Sequence, residues 1–183
     1  MSNILILDLS YIIFYRYHAL LSWFKRAHPD QEIDNKIINQ KYDKLFIKCI
    51  DDLIKKYHSK YQHVFFCQDC DRSSNWRFKL NTEYKNNRSY DQHIFDYFRK
   101  TIDTLIPYFV AQGCYQLYIN QAEADDIAYI ITKKLLSNTD KNIVIITNDY
   151  DYIQMIQDRV KIYNLKGLDL STKIEHSPEI DLK

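Results

Sequence analysis

The segment Gln121-Ala122-Glu123-Ala124-Asp125-Asp126-Ile127-Ala128 places three carboxylates within four positions at the beginning of an apolar helical pattern. Asn120 precedes the segment and is predicted to cap the helix, with Glu123 three residues later as its capping-box partner. The apolar residues recur at helical spacing, at Ala124, Ile127, Ala128, Ile131 and Leu135. The sequence therefore predicts a helix with an acidic first turn.

A second acidic stretch, Thr147-Asn148-Asp149-Tyr150-Asp151, lies shortly after the first. It follows Ile143-Val144-Ile145-Ile146, a β-branched run that is typical of a fully buried strand. One acidic group therefore begins a helix, and the other follows a strand. If the two elements are neighbours, their carboxylates converge.

Two explanations apply to the acidic helix start. The helix macrodipole favours a carboxylate in the first turn by about 0.3–1 kcal/mol, which accounts for Glu123 and one aspartate but poorly for all three acids. Two carboxylates about 4 Å apart repel each other by about 4 kcal/mol at an effective dielectric constant near 20. Such a cluster is normally tolerated because a cation or a proton lies within it, and oxygen ligands favour magnesium or manganese over zinc.

The composition limits the kind of protein. A chain of 183 residues is expected to form one domain with a substantial core. Its two glycines exclude a glycine-rich phosphate loop, and its net charge of +1 says nothing about an acidic partner. Cys67 and Cys70 lack the second pair that a zinc site needs. No stretch resembles a signal peptide or a membrane span, so a soluble, intracellular protein is expected.

Strand and helix patterns alternate along the rest of the chain. Apolar runs predict strands at residues 4–7, 63–67, 116–119, 143–146 and 160–163. Further helices are predicted at 11–26, 34–58, 92–110 and 152–157, the third of them ending or kinking near Pro107. The alternation predicts an α/β fold, a mainly parallel twisted sheet with helices on both faces. Asp8, Asp69 and Asp149 follow three of the strands, so their carboxylates are expected along the edge where open α/β sheets place their ligands. The alternative for Asp8 is that it caps the helix that follows it.

Residues 72–100 differ in composition from the rest of the chain. They contain seven Lys or Arg residues against three Asp or Glu residues, with Trp76, Phe78, Tyr84 and Tyr90 interleaved. Positive charge binds phosphates and aromatic faces stack on bases, which is the combination that single-stranded nucleic acid requires. The alternative is a solvated loop whose aromatic residues pack into the core. The local charge excess favours the nucleic-acid interpretation.

Together these stretches resemble the flap endonuclease and 5′→3′ exonuclease superfamily, which has a PIN-like nuclease fold, and most closely the phage ribonuclease H-type enzymes that remove RNA primers. The carrying stretches are Asp8, Cys67-Gln68-Asp69 with Asn75-Trp76-Arg77, Tyr84-Lys85-Asn86-Asn87-Arg88, residues 123–128, and Asn148-Asp149-Tyr150-Asp151. They span about residues 4–163 in the family's order. The resemblance implies a catalytic domain at 1–165, with an inserted basic arch or clamp segment at 72–100, and a C-terminal tail at 166–183.

The resemblance also implies a reaction, which is hydrolysis of a phosphodiester in DNA or primer RNA that leaves a 5′-phosphate and a 3′-hydroxyl. The reaction would require two Mg²⁺ or Mn²⁺ ions, and the second ion would be bound weakly. Asp149 and Asp151 would reach towards the second ion. The ligands of the first ion would be Asp8, Asp69, Glu123 and Asp125, with Asp126 in its inner or outer shell.

The resemblance further implies that the substrate is DNA or an RNA–DNA hybrid that carries a 5′ end or a flap. Arg77 and Lys85 would be catalytic together with Asp8, Asp125 and Asp149. The positively charged side chains of Arg77 and Lys85 would steer the scissile phosphate under the arch. Tyr84 and Trp76 are weaker candidates, either for stacking on a base or for packing within the arch. The expected nucleic-acid-binding residues are Arg77, Lys79, Tyr84, Lys85 and Arg88.

The sequence departs from the family in one respect. Family members continue into a region that grips duplex DNA and supplies carboxylates to the second ion, whereas this sequence stops at Lys183. We therefore expect a weak second ion site and poor duplex affinity unless a partner protein or a missing region supplies the grip.

Two other functions stay open. One is a non-catalytic or partner-completed nucleic-acid-binding remnant of the family, and the other is a minimal PIN-type endoribonuclease, which usually lacks a basic segment such as 72–88. A haloacid dehalogenase-type phosphatase is excluded, because it needs an aspartate at the place of Ser10.

Overall fold

The computed structural model of the chain describes residues 2–32, 35–84 and 92–172. Its strands are β1 (Asn3–Asp8), β2 (Ser59–Gln68), β3 (Tyr115–Tyr118), β4 (Ile143–Ile146) and β5 (Val160–Tyr163). They form one sheet in the order β3-β2-β1-β4-β5, and every neighbouring pair is parallel. The predicted α/β fold with a parallel sheet is confirmed, although β2 begins at Ser59 and not at the predicted residue 63.

Helices connect the strands. The α-helices of the described residues are α1 (Leu9–Ala27), α2 (Asn35–Lys56), α3 (Trp76–Leu80), α4 (Gln92–Lys100), α5 (Ile106–Ala111) and α6 (Ala124–Asn138). Short 3₁₀ helices occupy Arg72–Ser74 and Tyr150–Met155. The second of these replaces the predicted helix at 152–157 and lies directly after the acidic strand end.

The central strand β1 is buried on both faces. Leu5 and Leu7 join a core with α1, α2, α4 and α5, whereas Ile4 and Ile6 join a second core with α6. Successive side chains of a strand point to opposite faces of the sheet, so a strand covered on both sides must be apolar at every position. This requirement explains the apolar run Ile4-Leu5-Ile6-Leu7. Asp8 follows the run and ends β1 at the carboxyl edge of the sheet.

The single helix predicted at residues 92–110 is divided in the structure. A π-helical turn, Thr101–Leu105, joins α4 to α5, and the Ile106 amide donates to the Thr101 carbonyl. Pro107 lies in the first turn of α5, directly after the π-helical turn, and it has no N–H group to donate to the preceding turn. The interruption expected near Pro107 is thus a widened turn immediately before it.

The segment that the sequence assigned to a tail from residue 166 is packed in part. Leu170 is buried in the core beside α6, while residues 173–183 lie outside the described residues. Among the described residues, no helix is both long and apolar enough to cross a membrane.

Candidate active site

Acidic residues from four separate segments line one cavity of about 390 Å³ at the carboxyl edge of the sheet. Asp8 ends β1, Asp69 follows β2, and Asp149 follows β4. Parallel strands bring these positions to the same edge, and α6 begins beside them. The carboxylates that line the cavity are Asp8, Asp69, Glu123, Asp125, Asp149 and Asp151.

Asp8 is the most confined of the three strand-end aspartates and is only 7% exposed. Its carboxylate caps α1 by accepting from the Tyr11 amide at 3.0 Å, and it also accepts from the Thr147 hydroxyl at 2.7 Å. Burial raises the pKa of Asp8 to about 7, and the charges of Asp69 and Asp149 add to this effect. The two hydrogen bonds act in the opposite direction. A carboxylate with this pKa is poorly stabilised as an anion by the protein alone.

Asp69 connects three elements at the cavity. Its carboxylate accepts from the Ser10 hydroxyl at 2.5 Å, in the first turn of α1, and from the Ala124 amide at 2.8 Å, at the start of α6. Asp149 is exposed, and its carboxylate accepts from the Asp151 amide at 3.0 Å. The buried and exposed carboxylates therefore differ in how firmly the protein holds them.

The start of α6 differs from the sequence prediction. The N-cap is Glu123, not Asn120, and the capping-box partner is Asp126, whose carboxylate accepts from the Glu123 amide at 3.1 Å. Asn120 belongs to a turn in which Gln121 has a φ of +75° and the Ala122 amide donates to the Ile119 carbonyl. The helix therefore begins three residues later than predicted, and Asp125 of its first turn lines the cavity.

Asp126 lies outside the cavity and is paired with Arg77. The Arg77 guanidinium binds the two Asp126 oxygens at 2.6 and 2.8 Å, and it lies 3.2 Å from Glu123 and 3.7 Å from Asp125. The hydrogen bonds from Arg77 lower the pKa of Asp126, and the same bonds raise the pKa of Arg77. Trp76 donates from Nε1 to Asp126 at 3.4 Å and stacks on the Arg77 guanidinium. Arg77 and Trp76 thus lie against α6, while the phosphate contact of Arg77 and the base stacking or arch packing of Trp76 stay predictions.

Tyr84 is the last residue of the described range 35–84. Its hydroxyl donates to Glu123 at 2.9 Å, and its carbonyl accepts from Arg72 at 3.2 Å. The Tyr84 hydroxyl therefore contacts a cavity carboxylate, and its stacking on a base or packing within the arch stays a prediction. Lys79 is exposed, and Lys85 and Arg88 lie outside the described residues.

The residues of the cavity suit a hard divalent cation. All six charged groups are carboxylates, the donor type that Mg²⁺ and Mn²⁺ prefer. Within residues 2–32, 35–84 and 92–172, no three Asp, Glu, His or Cys side chains are arranged to enclose an ion. Two of the carboxylates are held at the cavity wall by several hydrogen bonds from the chain, namely Asp8 and Asp69.

Hydroxyl groups were missed in the sequence analysis. Ser10 and Thr147 donate to Asp69 and Asp8 and so orient two carboxylates. Tyr152 also lines the cavity. Ser10 lies two residues after Asp8, and Thr147 lies two before Asp149, so proximity to a strand-end aspartate is the signal that could have indicated the first two.

The family model described as the 5′-3′ exonuclease, N-terminal resolvase-like domain matches residues 3–180. The chain belongs to this family. Its resemblance to 5′-nucleases of the flap endonuclease and exonuclease superfamily is thereby confirmed. Comparison with curated protein sequences gave no match.

Solved structures agree with the family in fold. The bacteriophage T5 5′-exonuclease with bound zinc ions is 19% identical with a TM-score of 0.63, and the T5 D15 protein crystallised with metal ions is 18% identical with a TM-score of 0.60. A complex of the T5 D15 flap endonuclease with DNA and metal ions is also 18% identical, with a TM-score of 0.59. Each comparison covers 96% of this chain but 60% of the T5 chain. At these identities the likeness establishes the PIN-like fold of this exonuclease-family domain.

The Arg77–Asp126 pair is expected to contribute measurably to stability. Arg77→Ala and Asp126→Ala should each lower the free energy of unfolding by about 1–3 kcal/mol, because each leaves a partly buried charge without its main partner. The double variant should lose less than the sum, with a coupling of about 1 kcal/mol or more. Urea denaturation in EDTA measures all four forms.

The exposed pair Lys48–Asp52, at 3.1 Å within α2, provides the control for this cycle. Its coupling should not exceed about 0.5 kcal/mol, since both side chains are largely solvated. Strictly additive losses at Arg77 and Asp126 would contradict the pairing.

Proposed function

We propose that this domain is a divalent-metal-dependent 5′-nuclease that hydrolyses phosphodiester bonds in DNA or primer RNA at 5′ ends or flaps and leaves 5′-phosphates. The observation that carries the proposal is the single cavity lined by six carboxylates from four segments of the chain. Membership of a 5′-3′ exonuclease domain family supports the same activity. The catalytic unit would comprise residues 1–165, with the basic segment at 72–100 inserted into it.

Four carboxylates would hold the first ion, namely Asp8, Asp69, Glu123 and Asp125. Asp149 and Asp151 are exposed and would hold a second ion more weakly. Bound Mg²⁺ or Mn²⁺ would supply an activated water molecule and stabilise the negative charge of the reacting phosphate. Asp126 would act from outside the cavity by fixing Arg77 and the first turn of α6.

The chain's own groups would position the substrate. Tyr84, which belongs to the basic segment, donates its hydroxyl to Glu123 at the cavity wall. Lys85 and Arg88 would then contact the phosphates of the strand being cut, with Lys79 extending the positive surface. Raised salt should weaken binding if these contacts form, since each phosphate contact releases counterions.

The T5 D15 relative was crystallised with DNA and metal ions, which supports a nucleic-acid substrate for this domain as well. The chain spans 60% of that protein's length. We propose that firm grip on a duplex comes from a further region or from a partner protein.

Cleavage should depend on a divalent ion and on a free 5′ end. The full chain is incubated with a labelled duplex that carries a single-stranded 5′ flap, with Mg²⁺, with Mn²⁺ or with EDTA. We expect cleavage with either ion and none in EDTA, and the product should carry a 5′-phosphate. Circular single-stranded DNA and RNA are the matched controls, because they offer no 5′ end.

Each alternative function gives a different result in this experiment. Binding of the flap without cleavage under any ion condition would support the non-catalytic remnant. Cleavage of circular RNA with the flap left intact would support the PIN-type endoribonuclease.

A further inference from the structure

Tyr152 is a buried polar residue that the proposed mechanism does not yet use. It lies in the 3₁₀ helix Tyr150–Met155, directly after Asp151, and is only 2% exposed. Its ring belongs to the core formed with α6. Its hydroxyl is shielded from solvent and has no hydrogen-bond partner among the described residues. A buried hydroxyl without a partner costs free energy that a phenylalanine in the same space would not.

The position of this hydroxyl indicates its function. Tyr152 lines the carboxylate cavity together with Asp8, Asp69 and Asp125. A phenol hydroxyl can donate one hydrogen bond, and carboxylate oxygen atoms accept such bonds. The unpartnered hydroxyl therefore belongs to a residue that shares the cavity with several acceptors.

The neighbouring carboxylates already have other donors. Asp8 accepts from Tyr11 and Thr147, and Asp69 accepts from Ser10 and Ala124. These bonds hold the carboxylates at the cavity wall, in an arrangement that does not enclose an ion. When an ion draws oxygen atoms inwards, an unused donor beside the cavity is expected to gain an acceptor.

We propose that Tyr152 is a positioning residue for the ion site, and that its hydroxyl donates a hydrogen bond to an oxygen atom of the ion's coordination shell. The proposal rests on the metal-dependent function proposed above. The hydroxyl orients a ligating oxygen from behind, as second-layer donors do in other metal sites, where their loss weakens ion affinity about 10–100-fold. The cost of the unpartnered hydroxyl in the ion-free protein is offset by this bond in the loaded protein.

The test compares two Tyr→Phe variants of the full chain. Tyr152→Phe removes the hydroxyl at the cavity. Tyr57→Phe is the matched control, because Tyr57 is also buried, its hydroxyl also lacks a partner in the described part of the chain, and its ring stacks on Tyr163. Tyr57 lies just before β2, at the opposite edge of the sheet. Calorimetric titration with Mn²⁺, without nucleic acid, measures affinity, and thermal unfolding in EDTA measures the stability of the ion-free protein.

We expect both variants to melt at a higher temperature than the unaltered chain in EDTA. Only Tyr152→Phe should weaken Mn²⁺ binding, by about 10–100-fold, with Tyr57→Phe binding as the unaltered chain does. Equal Mn²⁺ affinity of Tyr152→Phe and the unaltered chain would overturn the role of Tyr152 and leave the nuclease proposal standing. Absence of Mn²⁺ binding by the unaltered chain would overturn both.

Discussion

Asp125→Asn is expected to slow ion-dependent cleavage of a 5′ flap by at least about a thousandfold while the chain stays folded. A loss of this size corresponds to about 4 kcal/mol of transition-state stabilisation, which is the scale at which a bound metal ion acts. Asp125 lines the cavity from the first turn of α6. Asparagine keeps the size of the side chain but removes the charge that would hold the ion.

The fold should tolerate this substitution. Burial, the charge of Asp126 and the charge of Glu123 raise the pKa of Asp125, although Arg77 opposes them. Removing the charge therefore relieves the repulsion of Asp125 by Asp126 and Glu123. It also removes a favourable interaction with the helix macrodipole of about 0.3–1 kcal/mol, which opposes this gain. The melting temperature in EDTA should stay close to that of the unaltered chain.

Asp158→Asn is the control for this experiment. Asp158 is exposed and lies before β5, at the amino edge of the sheet. The same chemical change there should leave the cleavage rate unchanged. Full activity in Asp125→Asn would remove this carboxylate from the ion site.

Asp8→Asn is expected to stabilise the ion-free protein in a pH-dependent way. Asparagine can still cap α1 through the Tyr11 amide, and its side-chain amide can donate to the Thr147 hydroxyl, so the substitution removes charge but keeps hydrogen bonds. The pKa of Asp8 is about 7 in the folded chain against 3.8 as its ordinary value. The folded state therefore binds a proton more tightly than the unfolded state.

The sign of the effect follows from this difference. Below about pH 4 Asp8 is protonated in both states and costs nothing, so the variant and the unaltered chain should be equally stable. Between pH 4 and 7 the buried charge becomes progressively more costly, and above pH 7 the variant should be more stable by about 2–4 kcal/mol. Urea denaturation in EDTA from pH 4 to pH 8 measures the difference.

Saturating Mn²⁺ should reverse this order at pH 8. The unaltered chain gains stability from ion binding, whereas the Asp8→Asn variant loses a ligand and gains less. If Asp8→Asn is less stable than the unaltered chain in EDTA at pH 8, the charge of Asp8 does not destabilise the folded state.

Much of the fold follows from local patterns in the sequence. Continuous β-branched runs such as Ile143–Ile146 indicate strands covered on both faces, and their alternation with helices predicts a parallel sheet. The least accurate predictions concern boundaries. The turn with positive φ at Gln121 moves the start of α6 past Asn120, and the π-helical turn before Pro107 divides a predicted helix. Both are local backbone conformations that depend on packing, and neither produces a periodic pattern of apolar residues in the sequence.

The carboxylates at strand ends were predictable, but their partners were not. A parallel sheet brings the ends of its strands to one edge, so Asp8, Asp69 and Asp149 were expected along that edge once the strands were recognised. The strand order, with β1 between β2 and β4, makes them neighbours. Whether a helical carboxylate joins them depends on the rotation of α6. That rotation places Asp125 at the cavity and Asp126 against Arg77.

The sequence by itself determined the parallel α/β fold and the acidic edge of its sheet, because hydrophobic periodicity and chain direction are properties of short segments. Only the tertiary structure decided that Arg77 binds Asp126, that Tyr84 binds Glu123, and that the Tyr152 hydroxyl lies buried beside the carboxylates. The first two contacts join residues 49 and 39 positions apart. Contacts at such separations are set by how helices pack on the sheet, and no local pattern of residues encodes them.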